Sequence, residues 1–329
     1  MNTKKFIAVF VAALTVSAVF AKGKQDSGAV TGAATREIRK SDKPEFIIPP
    51  PVIGVEVRAE DQANFDAFVW SADKLKANYD HVLVVDARDK AQYDAEHLPG
   101  AVQFNWSDAI VMPLFDIPSD DVIAKAFAEH GVDTTKTIVV YNEPLITGWG
   151  EESRILWLLR YLGINDSYIL NGGINYWKAQ GGQVTNEKTV IPALTPVSSF
   201  NHAESLLIGT DELASRISEV KLFDTRFDDE FAKGRIPGCK FVWFKDFYHA
   251  DGTYFTPAET RARIATLGFN EDDEIVTYCQ GGIRSSLLVI LLQTAGFKNP
   301  RNYSGSWAAW TATKQKIDDV VYSNIPAYN

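Results

Sequence analysis

One residue in this chain stands in the setting of a nucleophile. Cys279 follows an apolar β-like run, Glu274-Ile275-Val276-Thr277-Tyr278, and precedes an apolar helix-like run from Ser286 to Leu292. Between them lies Gln280-Gly281-Gly282-Ile283-Arg284-Ser285. Strand, short glycine loop and helix together place the thiol at a helix N-terminus, where unpaired N–H groups converge. The two glycines let the backbone curl until successive N–H groups face inward as an anion-sized nest. A thiol held there has a lowered pKa and reacts as the thiolate. Gln280, Gly281, Gly282 and Ile283 form the substrate-binding loop, contributing backbone N–H groups. Arg284 adds a guanidinium fork suited to an oxyanion.

The other candidates are weaker. Arg226 follows Asp224 at a strand end, where it can pair with Asp224 or Asp228. Cys239 reads as a small buried hydrophobe, with a Cys239–Cys279 disulfide as the rival. The five His show no metal-ligand spacing with Cys, and Gly281-Gly282 lacks the Gly-Lys-Ser/Thr of a phosphate loop. The expectation is no metal and no organic cofactor.

The elements around this loop occur twice. Leu83-Val84-Val85-Asp86-Ala87-Arg88 precedes Leu98-Pro99-Gly100; Leu222-Phe223-Asp224-Thr225-Arg226 precedes Ile236-Pro237-Gly238, with 14 positions from Asp to the turn Gly in both. Ile138-Val139-Val140-Tyr141-Asn142 matches Ile275-Val276-Thr277-Tyr278-Cys279, and Gly172…Trp177 matches Gly305…Trp310. The halves are a duplicated domain. Alternating short apolar strands and helical stretches predict parallel sheets flanked by helices on both faces, an α/β fold with active loops at the strand C-termini. The expected bounds are a signal peptide over 1–21, a flexible leader over 22–45, a first domain over 46–182, a linker over 183–205 and a second domain over 206–329. Asn142 stands where Cys279 does, so the first domain is expected to be catalytically silent. From Asn142 to Gly163 is 21 positions, against 17 from Cys279 to Gly296. That longer loop is expected not to curl its N–H groups around one atom, leaving the first domain to pack against the second and wall its pocket.

With 46% hydrophobic and 23% charged residues, the composition is that of a globular protein. The formal charge of -9 argues against a nucleic-acid or anionic-membrane partner, so an anionic substrate needs a local positive site. Lys4-Lys5, the apolar stretch Phe6 to Phe20 and Val19-Phe20-Ala21 read as a signal peptide cleaved near Ala21. No stable membrane anchor is expected, and the location is the bacterial periplasm or the exterior.

These marks, in order and in duplicate, resemble the tandem-domain rhodaneses, the thiosulfate and 3-mercaptopyruvate sulfurtransferases, from about Phe65 to Val321. The resemblance rests on Asp-x-Arg (Asp86/Arg88, Asp224/Arg226), the Leu/Ile-Pro-Gly turns, Tyr278-Cys279, and the closing turn Asn171-Gly172-Gly173-Ile174-Asn175-Tyr176-Trp177. It implies two rhodanese-like domains of which only the second is catalytic. It also implies that Cys279 takes a sulfane sulfur from a small anionic donor as a persulfide and passes it to cyanide, a thiol or a protein acceptor. Arg226 is then expected near the substrate. Arg235 replaces the family's usual histidine and adds positive charge to the substrate site. Cys-Gln-Gly-Gly-Ile-Arg matches neither of the animal loop types, so the donor is left open between thiosulfate and 3-mercaptopyruvate. Two rivals remain. A cysteine-dependent phosphatase or arsenate reductase of related fold needs Cys-x5-Arg, one residue more than Cys279 to Arg284 provides. A non-catalytic rhodanese-like binding protein would not need the intact cysteine loop.

Overall fold

The computed structural model describes residues 55–191 and 193–318. The expected signal peptide and leader, the first nine residues assigned to the first domain and residues 319–329 lie outside the described residues. The first half contains α1 (Asp61–Asp66), β1 (Val69–Trp70), α2 (Ala72–Asn78), β2 (Val82–Asp86), α3 (Lys90–Ala95), β3 (Val102–Gln103), α4 (Asp120–His130), β4 (Thr137–Tyr141), α5 (Glu151–Tyr161), β5 (Ser167–Leu170) and α6 (Gly173–Ala179). The second contains α7 (Thr210–Ser215), β6 (Lys221–Asp224), α8 (Asp228–Lys233), β7 (Lys240–Phe241), α9 (Pro257–Ala265), β8 (Glu274–Tyr278), α10 (Ile283–Thr294), β9 (Asn299–Asn302) and α11 (Ser306–Ala312).

Each half forms one parallel sheet, in the orders β1-β5-β4-β2-β3 and β7-β6-β8-β9. The expected α/β architecture is what the chain adopts. Strands such as Val82-Leu83-Val84-Val85 are apolar at every position because both faces are covered. Leu83 and Val85 enter one core, and Val84 enters another with Trp70, Leu75 and Trp177. The outer face of the second sheet is built alike, from Leu222, Val276, Tyr278 and Trp310. The remaining core is continuous across the halves and runs through α5 and α10. A helix apolar all round must be enclosed, and α10 is buried from Ile283 to Leu292. Its aliphatic side chains are worth about 1.5–3 kcal/mol each on burial. The pairing of α5 with α10 brings the start of α5 against the start of α10.

The Asp-x-Arg motifs tie each strand end to the Pro-Gly turn. Tyr278 donates to Asp224 Oδ2 (2.6 Å) and accepts from Ile236 N (3.1 Å); Tyr141 does the same with Asp86 (2.5 Å) and Leu98 N (3.1 Å). Arg226 pairs with Asp224 (2.7 Å) and donates to the Gly234 carbonyl (2.6 Å); Arg88 pairs with Asp86 (2.6 Å) and donates to the Glu96 carbonyl (2.6 Å). Because the half without a cysteine keeps the whole network, the network is a framework device.

Candidate active site

Cys279 is the first residue beyond β8 and is 1% exposed. The loop carbonyls turn away from it. That of Cys279 accepts from Trp307 N (3.0 Å) and that of Gln280 from Ala308 N (3.1 Å), both in the first turn of α11. With the carbonyls anchored there, N–H groups are left facing the sulfur. Burial alone would raise the thiol pKa. Arg284, the N–H groups of Ser285 and Gly281 and the Ser285 hydroxyl outweigh it, and the thiol lies below its ordinary value. The expected setting of Cys279 is therefore present in the geometry.

Arg284 is almost wholly enclosed. Its guanidinium makes a bidentate pair with Glu230 (2.5 and 2.9 Å), and the rings of Phe227 and Trp149 lie 5.2 and 5.6 Å from it. It pairs with Glu230 and also hydrogen-bonds the Cys279 sulfur, so that both its charge and one of its donors act on the thiol.

The first half supplies three groups that sequence reasoning did not select. Arg154 on α5 is 2% exposed, and neither of its terminal nitrogens has a hydrogen-bond partner. It lies over Trp157 (4.8 Å), and its Nη1 would stand 3.1 Å from a Cβ on Gly282. Burial brings its pKa down to about 10, with the Cys279 charge acting in the opposite sense, so it stays a cation at neutral pH. An unpaired buried cation against a thiolate loop is an anion receptor in form. The signal for it was an arginine directly ahead of the apolar run Ile155, Leu156, Leu158, Leu159. Phe115 is the second group. A Cβ on Gly281 would lie 2.1 Å from its ring, so this glycine is imposed by the first half. Phe115 itself has φ 56, in the left-handed region that bulky residues avoid, and its carbonyl accepts from Ser304 Oγ (3.4 Å). Trp149, 53% exposed, is the third and stands at the rim beside Arg284. These contacts set Arg154, Phe115 and Trp149 of the first half against the Cys279 loop and Arg284.

The other selected residues have the following partners. Arg226 pairs with Asp224 and lies over Trp307 (4.5 Å). Arg235 lies over Phe231 (4.6 Å), and its charge is felt by Cys239. Cys239 is a half-buried thiol that Tyr278 Oη approaches to 3.3 Å; burial pushes its pKa up, the opposite of Cys279. Both cysteines are free, so the rival disulfide is not formed.

The first half corrects one expectation. Its longer loop does curl its N–H groups inward, but around Glu143, the residue after Asn142. The Glu143 carboxylate accepts from Leu145 N (3.2 Å), Ile146 N (3.1 and 3.0 Å), Thr147 N (2.6 Å), Thr147 Oγ1 (3.0 Å) and Asn175 Nδ2 (3.1 Å). Burial opposes ionisation, yet these donors hold its pKa below the ordinary carboxylate value. The extra loop length serves to wrap a side chain one position further along.

Two parallel α/β sheets sharing one core, with a buried thiol at a strand-end loop of the second, define the class. The description "Rhodanese-like domain" matches residues 71–180 and again 209–313, and the chain belongs to the rhodanese-like family. It is 29% identical to "Sulfur carrier protein TtuD" of Thermus thermophilus, over 73% of this chain and 91% of that one. It is 28% identical to a "Putative thiosulfate sulfurtransferase" of Haloferax volcanii, over 68% and 82%. It is 29% identical to a "Probable 3-mercaptopyruvate sulfurtransferase" of Pseudomonas aeruginosa, over 66% and 82%. Among solved structures, wild-type EanB superposes with a TM-score of 0.73 at 18% identity, covering 81% of this chain and 72% of that one. These relatives bear out the reading of the chain as an enzyme of the sulfurtransferase class.

Proposed function

We propose that the protein moves a sulfane sulfur through a persulfide on Cys279. The observation that carries this is a buried thiol whose pKa is lowered by Arg284 and inward N–H groups, with the unpaired cation of Arg154 against the same loop. The donor is an anion of the thiosulfate or 3-mercaptopyruvate class. Arg154 and the loop N–H groups receive it, and Arg284 keeps the sulfur ionised. The Cys279 thiolate attacks the outer sulfur of the donor. The new S–S bond forms as the bond to the sulfite or pyruvate-like group breaks, and that group leaves with the bonding pair. Cyanide, a thiol or a protein thiol then attacks the outer sulfur, and the Cys279 thiolate returns. Arg226 and Arg235 act in the framework and on the Cys239 side of the second domain.

Phosphatase chemistry is disfavoured because Arg284, which would have to wrap a phosphate, is held by Glu230. The N-terminal segment supports export to the periplasm or beyond, with the mature chain starting near Lys22. Intact mass measurement after thiosulfate treatment tests the proposal: one added sulfur, on Cys279, discharged by cyanide as thiocyanate. Wild-type turnover in Cys279→Ser would overturn it.

A further inference from the structure

The silent half contains a filled anion site. Its loop presents three consecutive N–H groups, the Thr147 hydroxyl and the Asn175 amide to one carboxylate, and that carboxylate belongs to Glu143 in the same loop. Asn142 corresponds to Cys279, so Glu143 corresponds to Gln280. In the catalytic half the N–H groups face the first loop residue; in the silent half they face the side chain of the second. Glu143 is 6% exposed, and its charge is met by these donors together with the nearby cation of Lys245.

The same loop leans on the catalytic half. Trp149 lies over Arg284 and packs on Phe227 (ring centroids 6.3 Å). The Leu145 carbonyl accepts from Lys245 Nζ (2.9 Å). A Cβ on Gly150 would lie 3.6 Å from the Ile283 carbonyl oxygen and 3.8 Å from Arg284 Cα. The loop closes tightly over its own start, since a Cβ on Gly148 would stand 2.1 Å from the Glu143 carbonyl oxygen. The loop that brings Trp149 to Arg284 is wound around the Glu143 carboxylate at its start and pinned at its end, where Trp149 N donates to Glu151 Oε2 (2.6 Å).

We propose that Glu143 is a built-in ligand of a carboxylate-sized anion site in the first domain, and that by filling this site it positions Trp149 against Arg284 at the catalytic loop. Glu143 touches no reacting atom; it is a positioning residue, and the inference rests on the sulfur-transfer reading for its kinetic part. Removing the side chain vacates a site that a small free carboxylate can enter.

The test is Glu143→Ala in the full chain, with formate as the probe and chloride at equal ionic strength as the control. Two readouts are taken. Thermal melting needs no catalysis: formate should raise the melting temperature of Glu143→Ala by more than that of wild type, as a ligand that binds the folded state does. Thiocyanate formation should fall between about ten- and a hundred-fold in kcat/KM, the range expected when a site wall is displaced, and formate should restore it in a saturable way. Glu143→Gln keeps an acceptor oxygen and fills the site, but sets its NH₂ among N–H donors. It should lose activity and melt lower, with no response to formate. An active wild type beside a Glu143→Ala protein that ignores formate in both readouts overturns the inference. So does Glu143→Ala with undiminished activity, or, should that variant fail to fold, Glu143→Gln with wild-type melting and turnover. A wild type inactive in sulfur transfer would instead strike the functional reading, and the melting comparison would still decide the anion site.

Discussion

Replacing Arg154 with Met should make the protein more stable and less active, and both magnitudes follow from the geometry. The guanidinium is enclosed with both terminal nitrogens unpartnered, and burial brings its pKa from the ordinary value down to about 10. At 1.36 kcal/mol per pH unit, keeping the proton on Arg154 in the fold costs about 3 kcal/mol. Met fills similar volume without that cost but forfeits the stacking on Trp157, worth about 0.5–2 kcal/mol. A net gain of about 1–2 kcal/mol remains. Because the folded pKa lies below the unfolded one, the gain is fully present at neutral pH and shrinks as the pH rises through about 10. Activity should move the other way. Losing charge-assisted hydrogen bonds to an anionic donor, about 1.5–3 kcal/mol, lowers kcat/KM for that donor about ten- to a hundred-fold. Arg154→Lys keeps the charge without the fork and should fall between. The assays are thiocyanate formation over a range of thiosulfate concentrations and urea unfolding at neutral pH. Wild-type kcat/KM in Arg154→Met, or a less stable variant, would refute the reasoning.

Two further outcomes test the loop. Arg284→Gln removes the charge that most lowers the Cys279 thiol, so the midpoint of iodoacetamide alkylation against pH should move up by about one pH unit or more; an unchanged midpoint would mean that the N–H groups and Arg154 set the thiol without it. Gly281→Ala places a methyl group 2.1 Å from the Phe115 ring and should cost at least about ten-fold in turnover. Gly281→Ala with Phe115→Ala should recover part of that loss, and additive losses in the pair would show that the ring is not what the methyl group meets.

What could be read from the chain alone was whatever repeats or alternates locally. Strands such as Val82-Leu83-Val84-Val85 and Glu274-Ile275-Val276 announce a doubly covered parallel sheet by composition. The paired Asp-x-Arg and Pro-Gly marks announce the duplication. Cys279 is legible because strand, glycines and helix are contiguous in sequence. The residues missed are those whose role comes from the other half. Arg154 precedes Cys279 by more than a hundred positions and meets its loop only because α5 and α10 pack together inside one core. Phe115 meets it only through Gly281. Arg226 was drawn toward the substrate by the family resemblance, while the identical pairing of Arg88 shows that the motif braces the strand end in both halves.

The silent loop shows how a length argument can mislead. Twenty-one positions against seventeen suggested N–H groups too far apart to surround an atom. A backbone nest, however, is set by the local curl of a few residues and by the anion that rewards it, and loop length constrains neither. Glu143 provides that anion, so the added residues wind around a side chain instead of leaving the nest open. An acid directly after the position of the missing cysteine was the available signal. For the same reason a cysteine placed at 142 should fail to create a second sulfur site. A thiol there would compete for N–H groups already committed to a buried carboxylate, and would sit beside negative charge where Cys279 sits beside Arg284. Absence of the nucleophile and occupation of its nest are separate changes, and each should by itself prevent sulfur loading in the first half.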